Sequence, residues 1–243
     1  MFKVYAGLDL FRGRVARLLR GDPSKATFYP HAPQHYASRW LSEGAEKLHV
    51  IDLDAALELG DNLQLISGLV KSLNAWVQVG GGVRSLERAA ALVDAGVSRV
   101  IISSLYFEKR DEALEILRLL GRERVAVGLD CGADGHVRMK GWRERTGLSL
   151  EEAVQQTISD GFKNIVVTDT SRDGTLQGIN KEMLEKISAE VRSRVVFGGG
   201  VSSVEDILTL REMGFAGVIV GKALYEETVD LKHVRTVLAE RIG

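Results

Sequence analysis

Two aspartates stand in matching phrases of this chain. Asp9 lies in GLDLFRGRVARL (residues 7–18) and Asp130 in GLDCGADGHVRM (residues 128–139). Each follows an apolar run and precedes a glycine-containing stretch, a setting in which a single aspartate reads equally well as a turn or helix cap. As a pair at equivalent positions, away from any cluster of metal-ligating residues, they suit general acid–base catalysis, one carboxyl kept protonated and the other ionised by different surroundings. Two glycine triplets make a second pair, in VGGGVRS and FGGGVSS. Between a strand and a helix, such glycines let backbone N–H groups approach a ligand, and the helix start favours an anion. They could otherwise serve only as tight turns. Gly81, Gly82, Gly199 and Gly200 are therefore candidate phosphate-holding residues. Arg84 adds a cation, and Ser104, Gly221 and Lys222 follow at the ends of the next strands. TDTSRDGT (168–175) contributes Thr168, Asp169 and Asp173 as candidate substrate contacts and Gly174 as a further phosphate contact, although Asp173-Gly174 also reads as a turn. Trp142, in KGW, could stack on a planar ligand or cover a core edge. His49 reads either as a barrel-filling histidine or as a ligand contact. Cys131, the only cysteine, lacks the partners of a nucleophile and reads as packing. With no H-E-x-x-H motif and one cysteine, a metal site is not expected.

The elements that must position these residues are legible from periodicity. The chain has 243 residues, 45% hydrophobic and 27% charged, with a net charge of −1, as in an ordinary soluble globular protein. That balance gives no electrostatic reason to expect nucleic acid or an acidic membrane as partner. The opening stretch carries Lys3 and Asp9 instead of a secretion signal's apolar run, and no run is long enough to span a bilayer. A cytoplasmic, monomeric protein is the expectation. Short β-branched strands alternate with helix-period segments eight times, from KVYAGLDL and HYASRWLSEGA to GVIVG and VDLKHVRTVLAERI. KEMLEKISAEV reads as a single helix. Ser85, Ser149, Asn180 and Ser203 are placed as helix caps, and Gly96, Gly161 and Gly214 fall just past helix ends. No linker interrupts the alternation, so residues 1–243 read as one domain. The expected fold is α/β, a (βα)8 TIM barrel; a doubly wound open sheet is the alternative, but no strand carries G-x-G-x-x-G.

The pairing of motifs extends to the whole chain. Residues 80–108 align without gaps on 198–226, with eleven of twenty-nine positions identical, and GAEKLHVIDLD matches GFKNIVVTDTS with Asp52 opposite Asp169. The barrel therefore reads as two duplicated half-barrels, about 1–121 and 122–243. Because barrel active sites sit at the C-terminal ends of strands, Asp9 and Asp130 should face each other across the mouth, with a glycine loop on either side. Such a site calls for a small ligand with a phosphate at each end.

The motifs GLDLFRGRVARL, LHVIDLDAA, VQVGGGVRS, GLDCGADGHVRMKGW, TDTSRDGTLQG and VVFGGGVSS…GVIVGKALYE together resemble the phosphoribosylformimino-aminoimidazole-carboxamide-ribotide (ProFAR) isomerase family of histidine biosynthesis, HisA, over essentially the whole chain. The resemblance implies a cofactor-free Amadori rearrangement of a bisphosphorylated aminoaldose to an aminoketose. It implies Asp9 as general base at C2′, Asp130 as general acid at the ribose ring oxygen, and Thr168 and Asp173 as orienting groups. Arg17 would meet a phosphate or the carboxamide, and Trp142 would stack on the imidazole. A sister family, the cyclase subunit of imidazole glycerol phosphate synthase, is the alternative; an isomerase that also accepts phosphoribosylanthranilate is another. GGGVRS, HVIDLDAA, KGW and Arg17 favour the isomerase. Four positions depart from the family pattern: Gly7, Ala55, Gly132 and His136, of which Ala55 is expected to stiffen its loop.

Overall fold

The computed structural model describes residues 2–19 and 21–240. The chain opens with β1 (Lys3–Phe11) and turns back into an antiparallel hairpin, β2 (Arg14–Leu19) and β3 (Asp22–Phe28), before α1 (Pro33–Glu43). Then come β4 (Lys47–Asp52), α2 (Leu53–Ala56), α3 (Leu63–Leu73), β5 (Val77–Gly80), α4 (Leu86–Asp94), β6 (Arg99–Ile102), α5 (Ser104–Glu108) and α6 (Arg110–Leu120). The second half runs β7 (Val125–Cys131), a second hairpin of β8 (His136–Met139) and β9 (Glu144–Ser149), α7 (Leu150–Ser159) and β10 (Asn164–Asp169). It continues through α8 (Lys181–Glu185), α9 (Ala189–Arg192), β11 (Val195–Gly198), α10 (Val204–Glu212), β12 (Gly217–Val220), α11 (Lys222–Tyr225) and α12 (Leu231–Glu240). Strands β1, β4, β5, β6, β7, β10, β11 and β12 pair in parallel in that order, and β12 returns to β1, closing an eight-stranded (βα)8 barrel.

Closure leaves no open edge in the parallel sheet, and the outer helices require both faces of each strand to be covered. That is why these strands are Val- and Ile-rich on nearly every residue. Alternation then divides each strand into two sets. Val4, Ala6, Leu8 and Leu10 of β1 face the helices in the main core, whereas Tyr5 joins Ile101, Ala126, Val166, Val196 and Ile219 in a separate cluster filling the barrel interior. Two residues further along the inward set, the side chains shrink to glycine at Gly7, Gly128, Gly198 and Gly221, and the interior opens into a cleft.

Most sequence expectations about elements hold. Ser85, Ser149, Asn180 and Ser203 each accept a backbone N–H at a helix start, and Ser149 with Glu152 completes a capping box. Gly96, Gly161 and Gly214 have left-handed backbones past helix ends. KEMLEKISAEV is a correction: it forms two short helices, broken where Ser188 adopts extended φ −60° and ψ 145°. Serine gives up little by leaving a helix, and Ile187 just before it is buried in the core. The hairpins after β1 and β7 were absent from the sequence reading. Ala55 lies within α2 with an ordinary backbone, so alanine there is accommodated in a helical turn.

Candidate active site

A cleft of about 230 Å³ opens at the C-terminal ends of the parallel strands. Asp9 and Asp130 both line it, each on the inward parity of its strand. Asp9 is buried, and its Oδ2 accepts a hydrogen bond from the Arg17 guanidinium at 2.7 Å. The other end of that guanidinium donates to Asp173 Oδ1 at 3.1 Å, so one buried arginine on β2 bridges two carboxylates. Burial pushes the Asp9 carboxyl up to about 6; Arg17 opposes the rise and Asp173 adds to it. Asp130 is also pushed up to about 6 by burial, against hydrogen bonds from Trp142 and Thr168. The two carboxyls thus share a raised range but differ in partners. Asp9 has a cation, which favours its ionised form, and Asp130 has only neutral donors.

Around these carboxyls the glycine loops form two matched cradles. Gly81 and Gly82 have φ of +92° and +66°, and Gly199 and Gly200 have +96° and +82°. A Cβ at Gly81 would stand 2.3 Å from the Asp52 carbonyl oxygen, and one at Gly199 2.5 Å from that of Asp169. Both conformation and space therefore demand glycine, and each loop leads from the cleft lining into a nine-residue helix, α4 or α10. The first cradle is completed by Arg84 and Ser104 and the second by Gly221 and Lys222, all of which line the cleft, as does Gly174. Arg84 also donates to the carbonyls of Ala55 at 2.7 Å and Ala56 at 2.9 Å.

Trp142 sits at the tip of the β8–β9 hairpin with φ +69°, and its ring lies against Gly21 at the β2–β3 turn, where an added Cβ would stand 2.8 Å from the indole. The two hairpins therefore meet above the cleft. His49 lies on the cleft wall with Nδ1 2.8 Å from Gln78 Nε2; burial holds the imidazole down to about 3, so it is neutral and acts as a polar wall, not as an acid. His31, just before α1, and His35, on it, have rings 4.3 Å apart and tilted by 34°, and neither lines the cleft. Among the described residues no group of three or more His, Cys, Asp or Glu side chains could hold a metal ion.

Sixteen of the seventeen residues put forward from the sequence line this cleft; Asp169 is the exception. It follows Thr168 on β10, so the two side chains point to opposite faces, and Asp169 is fully buried behind the wall. There its Oδ1 accepts from the N–H and hydroxyl of Ser171. Asp169 therefore braces the loop that leads to Asp173 from the side away from the cleft. Arg17, held by Asp9 and Asp173, also lies against the second cradle, where a Cβ at Gly221 would stand 3.0 Å from its guanidinium. Gly132 and His136 lie outside the cleft lining. Sequence reading missed Met139 and Lys140, which bring the β8–β9 hairpin onto the cleft lining. The available signal was polar–apolar alternation on either side of Arg12-Gly13 and Lys140-Gly141.

A closed parallel barrel whose cleft opens at the C-terminal ends of its strands, with two carboxyls between two glycine loops, belongs to the (βα)8 class, in which active sites lie at that face. The family model described as histidine biosynthesis protein matches residues 3–230. The chain belongs to that histidine biosynthesis family. Among its relatives is a protein of Synechococcus sp. (strain JA-2-3B'a(2-13)), 42% identical over 95% of this chain and 88% of its own length. Another is from Bacillus cytotoxicus, 38% identical over 97% of this chain and 98% of its own length. A third, from Cenarchaeum symbiosum, is 36% identical over 95% and 97% respectively. All three are named 1-(5-phosphoribosyl)-5-((5-phosphoribosylamino)methylideneamino)imidazole-4-carboxamide isomerase.

Proposed function

We propose that this barrel is an aldose–ketose isomerase that carries out an Amadori rearrangement on ProFAR, the bisphosphorylated aminoaldose of histidine biosynthesis, giving the aminoketose PRFAR without a cofactor. The observation that carries the proposal is the placement of two unlike carboxyls, Asp9 and Asp130, in one cleft between two glycine cradles. The cradles hold the substrate's terminal phosphates and so fix the reacting ribose over the carboxyls, converting positioning into rate. Asp130, partnered only by neutral donors, gives its proton to the ribose ring oxygen as the C1′–O bond breaks, and the glycosidic nitrogen's lone pair forms the C1′=N bond. Asp9, kept ionised by Arg17, takes the C2′ proton; the electrons of that C–H bond form an enolamine, which ketonises by losing the hydroxyl proton and gaining one at C1′. Thr168 and Asp173 orient the sugar and the two aspartates.

The names of the relatives support the isomerase and do not favour the cyclase. The same proposal takes residues 1–243 as one cytoplasmic domain, active as a monomer and made of two related half-barrels, about 1–121 and 122–243. The matched hairpins after β1 and β7 and the matched cradles support that division. Among the described residues no helix is long and apolar enough to cross a membrane. A steady-state assay with purified protein and ProFAR tests the function. Turnover is expected, falling about 10²–10⁴-fold in Asp9→Asn and in Asp130→Asn, the range for losing one general acid or base. Rates unchanged by both substitutions would remove the mechanism.

A further inference from the structure

Among the described residues, a chain of buried and part-buried hydrogen bonds in the first half of the barrel has no counterpart at the matching positions of the second. Arg88, on the helix that follows Gly81-Gly82, donates to Asp52 Oδ2 at 2.8 Å. Asp52 is fully buried and accepts from the backbone N–H of Asn62 at 2.9 Å and from its side-chain amide at 2.7 Å. The same amide nitrogen donates to Asp54 Oδ2 at 2.7 Å, and that oxygen also accepts the backbone N–H of Arg12 at 2.6 Å. Arg12 occupies the β1–β2 turn with φ +51°. Three residues before that turn stands Asp9; five after it stands Arg17, its ionic partner. The β2–β3 hairpin is seated by Phe11, Ala16, Leu18 and Phe28 on Leu53 and Leu57, the residues flanking the same loop. At the matching positions of the second half, Ser171 replaces Asp54 and Asp206 replaces Arg88, and Asp169 Oδ2 has no protein partner.

We propose that Asp54 is a positioning residue, fastening the β1–β2 turn to the first phosphate cradle so that the cradle and the Asp9–Arg17 pair are held as one unit. The proposal rests on the isomerase reading above. Its physical basis is that a buried carboxylate accepting two N–H bonds is a strong and directional clamp, and its loss removes the one acceptor that joins Arg12 to Asn62. Among the described residues the β1–β2 turn has no other side-chain anchor of this kind on the β4–α3 loop. Seating a phosphate against Gly81, Gly82 and Arg84 then stiffens the segment that aims Arg17, so binding energy from the remote end of the substrate is realised at the reacting carbon. Asp54 touches no substrate atom; it acts through Arg12 and β2.

Two readouts test this on the full-length protein, with Asp54→Ala, the milder Asp54→Asn, and Asn62→Ala, which cuts the chain one link away. In kinetics, Asp54→Ala is expected to lower kcat about tenfold or more while KM changes by less than about threefold, with the other two variants falling between it and the parent. In carboxyl NMR titration of the ligand-free protein, the Asp9 signal is expected to titrate at higher pH in Asp54→Ala, because a loosened Arg17 leaves Asp9 facing only burial and Asp173. A parent enzyme that turns over ProFAR, alongside variants with unchanged kcat and an unmoved Asp9 titration, would overturn the positioning role alone. Loss confined to KM or to thermal stability would overturn it too. A parent that fails to turn over ProFAR would instead overturn the function, while the NMR arm would still decide the clamp.

Discussion

At the scale of single residues, the proposed chemistry depends on two carboxyls whose pKa values are raised by the same cause and steered by different neighbours. Asp9 and Asp130 both stand at about 6. The base must be ionised, so activity falls as the pH drops below that value. The acid must be protonated, so activity falls as the pH rises above it. The pH dependence of kcat/KM should therefore be a narrow bell centred near pH 6, with each limb falling about tenfold per pH unit. The two apparent values belong to the coupled cleft, which also holds Arg17 and Asp173. Rates measured from pH 4 to 9 check this, and a flat profile through pH 6 would contradict the paired roles. Asp169 shows the limit of reasoning from residue type alone. It neighbours Thr168 and Asp173 in sequence and resembles them chemically, yet strand alternation turns it away from the cleft. Counting parity along NIVVTD from Val166 inward would have excluded it.

At the scale of elements, the cradles are the least forgiving parts. Gly81 combines a left-handed backbone with a space that a methyl group would fill at 2.3 Å from a carbonyl oxygen. Gly13, at φ +69°, shares the conformation but has open space around it. Gly81→Ala should therefore cost about 2–5 kcal/mol, the sum of backbone strain and overpacking, against about 1 kcal/mol for Gly13→Ala. Urea denaturation of the two variants measures the difference; equal midpoints would show that the cradle yields more than its geometry implies. The hairpins are elements of another kind. β2 delivers Arg17 to Asp9, and β8–β9 delivers Trp142 to Asp130, so each carboxyl receives its partner from the hairpin that follows its own strand. The Lys140 N–H also donates to Ser104 Oγ at 2.8 Å, tying the second hairpin to the first cradle.

At the scale of the whole molecule, the proposed function needs the two glycine cradles to act as anion sites at a fixed separation across one mouth. A ligand carrying a phosphate at each end should engage both and inorganic phosphate only one at a time. Saturation at a hundredfold excess over Kd adds about 2.7 kcal/mol to stability. For a chain of this length that corresponds to a Tm rise of roughly 5–10 °C. Thermal melts with the bisphosphate product and with phosphate at equal concentration test this. Equal shifts from the two ligands would mean that the cradles act independently and do not measure a substrate's length.

The sequence by itself determined the number of strand–helix units, their caps, the two Gly-Leu-Asp phrases and the glycine triplets. Each of these is local: it depends on periodicity, on backbone conformations that glycine alone adopts freely, and on side chains that bond a few residues away. Only the tertiary structure decided that Arg17 bridges Asp9 and Asp173, that Trp142 crosses to Gly21, and that Asp54 reaches Arg12. Those contacts join residues 8, 42, 121 and 156 positions apart. Their partners are chosen by barrel closure and strand register, which no short window of sequence encodes.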